Sequence, residues 1–444
     1  MSAVTRVEEA GLSRTAPPAG DWRVLSGWAA TGRPQEYADH QATFGPLPTR
    51  AFRGSEGRRR LVEEVARAGL RGRGGAAFPA ARKLAAVLAG RGRPVVVANG
   101  CEGEPASAKD RVLSELAPHL VIDGALLAAL ATGAREVYLC VEADAASFPR
   151  LSQAARERPS QLKVSVVGVP GHFVASEESA LVSYLNGGPA KPTSKPPRVF
   201  ESGVGGRPTY VGNFETLAHL ALIARYGADW FRTAGTAGSP GTALVTVDGA
   251  VHRPGVAEVP YGVSLAEVLD AGGGVAAPLQ ALLVGGYAGR WLPVPAALHT
   301  QFSHEGLQAA GASVGVGAVI ALPSAACGIA ETAHVLHYLA GQSARQCGPC
   351  MFGLPAIAAD FAALTAGSMV SDARAMLRLE RRLATVRGRG ACAHPDGAVG
   401  LAQSALLTFQ GDVAQHLAGR PCPFAGTRPR LPLLQPGLGV LLSR

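Results

Sequence analysis

The cysteines are the first residues of this chain with the chemistry for a soft metal. Cys347-Gly-Pro-Cys350 places two thiols across a tight turn, and Cys392 supplies a third further along. Two thiolates at this spacing can share one ion or one cluster. His394, next to Cys392, leaves a zinc site of three cysteines and one histidine open as well. The plainer alternative is a pair of free thiols at a helix start. Cys101, Cys140 and Cys327 sit in apolar or strand-end surroundings and read as packing residues, while Cys422 lies between prolines without an assignment.

A second chemistry lies in Gly69-Leu-Arg-Gly72-Arg73-Gly74-Gly75, which runs on through Phe78-Pro79 to Ala80-Ala-Arg-Lys83. Glycines let the backbone N–H groups approach a ligand closely and adopt positive φ. A helix opening from such a loop makes an anion site, to which Arg71, Arg73 and Lys83 add positive charge. The competing reading is a surface loop with solvated arginines. Gly72-x-Gly74-x-x-Ala77 superficially fits the dinucleotide fingerprint, but that fingerprint must follow a strand, and a helix is expected here.

The third set is polar: Asn99-Gly-Cys-Glu102-Gly-Glu104-Pro105, Ser176-Glu177-Glu178-Ser179, Lys195-Pro-Pro197 and Gly212-Asn213. Taken alone, Glu177 and Glu178 are explained equally well as ordinary acidic residues in the first turn of a helix over 180–185.

Elements must position these groups. Apolar positions 61, 62, 65, 66 and 68 predict a helix ending on Gly69. The β-branched run 93–99 predicts a buried strand that delivers Asn99 to its carboxyl end, where α/β sheets bind ligands. Ser107-x-x-Asp110 fits a capping box for a helix reaching about residue 131. Further strands over 136–141 and 162–167 complete an α/β alternation from 58 to 230 with a mostly parallel sheet. A Gly/Ser/Pro linker covers 235–240, short strands and one helix (265–271) follow to 326, and helical periodicity covers 328–419.

The predicted organisation is therefore multidomain, α/β then α+β then α. It comprises a loose segment 1–57, an α/β domain 58–234, a β-grasp-like domain 240–326, a helical domain 328–419 and a Pro-rich tail 420–444. At 444 residues, 47% hydrophobic and 17% charged, the chain has ample material for several cores. A net charge of +9, without Lys/Arg tracts interleaved with aromatics, points to acidic small molecules or an acidic partner protein rather than nucleic acid. No signal peptide and no membrane span are expected. Seven cysteines, an odd number, suit a reducing cytoplasmic setting.

Assembled, the chain resembles the flavin-carrying subunit of respiratory NADH dehydrogenase (complex I, the 51-kilodalton or F-type subunit). It is also similar to the corresponding subunits of NAD-linked hydrogenases and formate dehydrogenases. The likeness runs from about 58 to 420. Gly69 to Lys83 matches the family's FMN loop, and Asn99 to Pro105 with Lys109-Asp-Arg111 matches its Asn-Ala-Asp-Glu-x-Glu-Pro…Lys-Asp-Arg segment. Phe173 to Leu181, Lys195-Pro-Pro197 and Gly212-Asn-Phe-Glu-Thr-Leu217 match three further segments in order.

The resemblance implies an FMN- and NAD(H)-binding α/β domain, a soluble-ligand-binding (SLBB-like) β-grasp domain and a helical iron–sulfur domain. It assigns Gly72, Arg73, Gly74 and Lys83 to the FMN phosphate and ribityl chain. Asn99, Glu102, Glu177 and Asn213 are implied to contact the flavin. Phe78 would stack on the nicotinamide nucleotide, and Glu104, Glu178 and Lys195 would line the NADH pocket. The cofactor would carry the hydride, so no general acid or base is implied.

Four positions depart from the family pattern. Ala344 stands where the first cysteine of its Cys-x-x-Cys-x-x-Cys motif belongs, leaving Cys347, Cys350 and Cys392. A 3Fe-4S cluster, a 4Fe-4S cluster with a replacement ligand, a zinc ion and no metal all stand open. Cys101 replaces an acidic residue beside the flavin, which would raise the flavin's reduction potential. Ser176 replaces a glycine. Arg198 replaces a pocket aromatic and would suit the 2′-phosphate of NADPH. The expected function is NADH (or NADPH) oxidation by FMN, with electrons passed singly through an iron–sulfur cluster to a ferredoxin-like or other electron-transfer protein or a quinone-linked chain. The competing functions are a flavin-only reductase and a non-catalytic scaffold.

Overall fold

Val95-Val-Val-Ala-Asn99 forms β1 (Val95–Asn99), with its first four residues buried. In the computed structural model, which describes residues 22–158, 160–370, 374–420, 422–427, 429–431 and 439–441, β1 is hydrogen-bonded on both edges. Its neighbours are β2 (Glu136–Glu142) and β4 (Thr209–Asn213), both parallel to it. β3 (Lys163–Val169) lies beyond β2, giving the order β3-β2-β1-β4. A strand inside a parallel sheet is covered on both faces, so it needs a continuous apolar run rather than alternation.

This order determines where a ligand can enter. The chain moves outward from β1 through β2 to β3, then crosses back to lay β4 on the other side of β1. The strand order thus reverses at β1, and outside the carboxyl ends at such a reversal lies the crevice in which open α/β sheets bind ligands. The register pairs Asn99 with Asn213 at that point. Behind the sheet, the helices Pro118–Thr132 and Phe214–Phe231 pack so closely that a Cβ on Gly124 would lie 1.9 Å from the Leu217 carbonyl oxygen.

A second, mixed sheet follows, made of β5 (Thr242–Gly249), β6 (Gly255–Pro260), β7 (Leu279–Val284), β8 (Arg290–Pro293), β9 (Ala318–Pro323) and β10 (Gly439–Val440). Its order is β10-β6-β5-β9-β7-β8. The helix Leu265–Ala271 buries Leu265, Val268 and Leu269 against it and starts on a Ser264/Glu267 capping box. Helices Gly328–Gly341, Leu354–Thr365, Ala375–Val386, His394–Thr408 and Gln410–Leu417 share a third core. The arrangement is mixed α/β with one parallel and one mixed sheet. No single helix among the described residues is long and apolar enough to cross a membrane.

Three local expectations need correction. Within the segment 1–57, residues 22–57 are built rather than loose. Helices Ser26–Thr31 and Tyr37–Phe44 bury His40 and Phe44, and the N–H groups of Arg23, Val24 and Leu25 donate to the buried Glu258 carboxylate. Fifteen-residue periodicity windows overlook elements this short. Residues 1–21 of that segment, and 432–438 of the expected tail, lie outside the described residues. The helix expected from Ser107 to about 131 is two helices, Lys109–Leu116 and Pro118–Thr132, bent by 99°. Pro118 drives Ala117 out of helical geometry (φ −134°, ψ 44°). Ser107 does not cap the first of them. Its hydroxyl donates to Glu102, and the Glu102 carboxylate accepts the N–H groups of Asp110 and Arg111 instead.

Candidate functional site

Four segments converge on the crevice between β1 and β4. The glycine loop is closed into a hairpin, with the Gly72 N–H donating to the Phe78 carbonyl and the Ala80 N–H to that of Leu70, each at 2.9 Å. It joins helix Gly54–Ala68 to helix Ala80–Leu88, so the context is helix–loop–helix and not the strand–loop–helix of a dinucleotide fingerprint. Gly75 takes φ +106°, a conformation that side chains resist. At Gly74 a Cβ would sit 3.4 Å from the Asn213 Cβ, so the bare backbone forms a cradle against that residue.

Asn99 and Asn213 form the floor. The Asn99 amide donates to the Ser176 carbonyl (2.8 Å), and its oxygen accepts the Cys101 N–H (3.1 Å). Asn213 caps helix Phe214–Phe231, accepting the Glu215 N–H, and its amide donates to Asp110 at 2.7 Å. Glu177 caps helix Glu178–Leu185 by accepting the N–H groups of Ser179 and Ala180. The dipole-complementing reading of this cluster is therefore what the geometry shows, though Glu177 also accepts from Lys195 at 2.9 Å. Lys83 pairs with Glu178 at 3.0 Å, and Lys195 reaches the same carboxylate at 3.6 Å. Burial pushes Glu178 up, but the two ammonium groups outweigh it and hold the carboxyl below its ordinary value.

Phe78 is 39% exposed, and the Arg82 guanidinium lies over its ring, 5.6 Å from the centre. Arg198 is exposed too, its backbone N–H held by Glu201. Arg73 differs from expectation. Its backbone N–H donates to Thr216, but the guanidinium is buried, donates to Tyr261 and the Thr242 carbonyl, and lies 3.8 Å from Glu215. Its charge is committed to the contact with the second sheet and is not aimed into the crevice.

Burial shifts the acids here. Glu102 is raised by burial first and by the nearby Asp110 charge second. Glu104 is raised by burial to about 8, although the N–H groups of Ala106 and Tyr287 both donate to it. Burial also lifts the Cys101 thiol well above its ordinary range, so it is neutral at physiological pH.

Three residues to which the sequence assigns no role, Lys109, Asp110 and Glu215, hold this floor in place. Lys109 is 2% exposed and contacts Asp110 (3.1 Å), Glu215 (3.2 Å) and the Asn213 oxygen (3.1 Å). Burial disfavours its charge, and Asp110 with Glu215 more than restores it. All three lie inside matched segments, Lys109-Asp-Arg111 and Gly212 to Leu217, but neither segment says that they meet.

The sulfurs lie beside this crevice. Cys350 is buried, and Cys347 and Cys392 are partly exposed. Burial would raise the Cys347 thiol, but N–H groups of Ala391 and Cys350 hold it below its usual value. Cys350 is pushed up to about 12, by burial and then by the Cys347 and Cys392 sulfurs. Cys392 feels both Glu177 and Lys195, and the His394 ring lies 5.2 Å from that of Phe173 in the Glu177 segment. The His394 Nε2 is taken by the Leu339 carbonyl at 2.8 Å. Ala344 is buried and offers no donor.

Comparison with known proteins identifies relatives of this chain. Residues 65–222 match the Nuo51 FMN-binding domain, and residues 330–416 match the NADH-ubiquinone oxidoreductase-F iron–sulfur binding region. The second NADH-quinone oxidoreductase F-type subunit of Rhizobium meliloti (strain 1021) is 31% identical over 382 residues, which are 82% of this chain and 90% of that protein. The NADH-quinone oxidoreductase F-type subunit of Escherichia coli (strain K12) is 31% identical over 387 residues, 83% and 86% of the two chains. The crystal structure of an NAD+-reducing [NiFe]-hydrogenase in the air-oxidized state superposes with a TM-score of 0.78 at 30% identity. That match covers 88% of this chain and 67% of the hydrogenase chain.

Glu104 has a measurable consequence. In the unfolded chain its carboxyl ionises near 4.5, in the folded protein near 8, so the folded state binds the extra proton between those values. Its contribution to stability is present at low pH and is lost as pH rises through that window. Urea midpoints of the wild type and Glu104→Gln should therefore diverge steadily between about pH 5 and pH 8, the wild type losing ground. Parallel pH profiles would contradict the assignment.

Proposed function

We infer that this chain, which belongs to the F-type subunit family of NADH-quinone oxidoreductase, oxidises NADH through bound FMN and passes the electrons on through an iron–sulfur cluster. FMN, when bound, takes up a hydride and releases electrons one at a time. Everything else is positioning by the protein. The observation that carries the reading is the shared border: Phe173, in the segment leading to Glu177, packs its ring 5.2 Å from that of His394, two residues from Cys392, and its N–H donates to Gln342.

The site residues divide by chemistry. Gly72 and Gly74 offer bare backbone and Lys83 a cation, which suit the FMN phosphate and ribityl chain. Asn99 and Asn213, with Glu102 and Glu177 behind them, suit the flavin ring. The partly exposed ring of Phe78 suits stacking on the nucleotide, and Glu104, Glu178 and Lys195 line the approach of NADH. Glu104 in its protonated form adds a neutral hydrogen-bonding group rather than a charge that would repel phosphate. Arg73 sets the loop's position instead of binding phosphate.

Cys347, Cys350 and Cys392 would hold an iron–sulfur cluster, which would supply single-electron transfer, and the buried Ala344 at the fourth place would contribute no ligand. The chain divides into an FMN/NADH unit (58–234), a β-grasp unit (240–326) with a core of its own on one face of the second sheet, and a helical cluster unit (328–419) that shares a core with the other face of that sheet. The partner is a small acidic electron-transfer protein of ferredoxin type. Exposed Arg381, Arg387 and Arg389 lie close in sequence to Cys392, and Met351 and Phe352 beside Cys350 are 50% and 71% exposed. A cation-rimmed apolar patch steers such a protein toward the sulfurs.

Two experiments follow. Gly74→Val pushes a branched side chain against Asn213, so FMN per purified chain should fall about tenfold or more while iron content stays constant. Full flavin occupancy with normal NADH-driven bleaching would overturn the placement of the loop. Electron transfer to an acidic ferredoxin should slow steeply as salt rises, and a salt-independent rate would exclude this partner.

A further inference from the structure

Three side chains outside the relay converge at the far end of the helical layer. Cys327 is the N-cap of helix Gly328–Gly341, His416 lies in the last turn of helix Gln410–Leu417, and Cys422 follows in the tail. All three are buried, at 1%, 0% and 9% exposure. Their ligand atoms lie within 4.8 Å of one another, which makes them the one such His/Cys/Asp/Glu group among the described residues. By sequence, Cys327 reads as packing and Cys422 has no assignment.

The geometry is more specific than proximity. The His416 Nδ1 lies 3.0 Å from the Thr365 carbonyl, a contact that only an N–H can make. In the neutral ring this leaves the Nε2 lone pair free, and it faces the Cys327 sulfur at 3.5 Å. A carbonyl that fixes the tautomer of a histidine in this way is the usual outer support of a metal ligand. Two ligand atoms on a tetrahedral zinc, with bonds of about 2.0 and 2.3 Å, stand about 3.5 Å apart. The Ala330 N–H donates to the Cys327 sulfur at 3.4 Å, a contact suited to a thiolate. Asp412 adds negative charge nearby, acting on both Cys327 and His416. Two sulfurs and an imidazole within so short a span of one another make the donor set of a single zinc ion.

We propose that Cys327, His416 and Cys422 form a zinc site, separate from the relay cysteines, with water in the fourth position. Binding exchanges Zn2+ for two thiol protons, which pass to solvent, and leaves a neutral centre. The ion fastens the tail to the helical layer at Cys422. Glu331 fastens it again further along, accepting the N–H groups of Arg430 and Leu431 at 3.0 Å.

The test uses the full chain, purified reduced and without oxygen, and Co2+ as the probe. Cys350→Ser removes the absorption of the relay cluster, and the bands of bound FMN are subtracted as the spectrum before cobalt is added. In that variant one Co2+ per chain should bind with an intense sulfur-to-cobalt charge-transfer band, and one zinc should be found in metal analysis before exchange. Adding Cys422→Ser should weaken Co2+ binding about hundredfold and abolish most of the band, with FMN content unchanged as the measure of an intact fold. X-ray absorption at the zinc edge of the unsubstituted protein, showing two sulfurs and one nitrogen, supports the site independently of any variant. A chain that binds no Co2+ with sulfur ligation, a band that survives Cys422→Ser, or a Cys327–Cys422 disulfide in protein kept reduced would overturn it.

Discussion

The buried carboxylate of Glu215 is the interaction on which the rest of this structure depends. It accepts the Leu244 N–H from the second sheet at 2.9 Å, meets the Lys109 ammonium at 3.2 Å, and lies 3.8 Å from the Arg73 side chain in the glycine loop. One group thus ties together the loop, the segment after β1, the helix after β4 and the start of β5. None of these charges has water to fall back on, since Glu215, Lys109 and Arg73 are 1%, 2% and 5% exposed. Removing one partner of such a buried network typically costs about 3–5 kcal/mol. The compensation is positional: Asn213 and Asn99 face one crevice because Lys109 and Asp110 hold Asn213 from behind.

From that anchor the electron path follows by adjacency. The parallel order of the first sheet creates the crevice, the glycine loop lines it, and Glu177 with Lys195 forms its rim. The Phe173 ring bridges to His394 and Tyr338 of the helical layer, and the Phe173 N–H donates to Gln342. Hydride chemistry and single-electron chemistry therefore sit in one continuous packed structure. The buried Ala344 leaves the sulfur set one donor short.

Much of this was legible in the sequence, for identifiable reasons. The run of valines in β1 can satisfy itself only between two parallel neighbours, so both the strand and the polar residues at its end could be read directly. The glycine loop could be placed between helices because the apolar spacing before it is helical. What escaped was determined by tertiary partners. Arg73 looks like a phosphate ligand until Tyr261 and Glu215, distant in sequence, are seen to claim it. Ser107 looks like a cap until Glu102 takes that position, and Pro118 turns one expected helix into two. Lys109 and Glu215 stand inside matched segments, but that they are buried partners of one another shows only in the fold. Cys327 lies too far along the chain from His416 and Cys422 for any spacing rule to join them.

The central claim is that three cysteines suffice to accept electrons singly from a flavin reduced by NADH. Its most direct measurement is low-temperature EPR with absorption spectroscopy on anaerobic protein before and after NADH addition. The account requires flavin bleaching together with a change in an iron–sulfur signal that quantifies to about one spin per chain and is lost in Cys350→Ser. Flavin bleaching with no iron–sulfur signal in either redox state would contradict it and leave a flavin-only reductase.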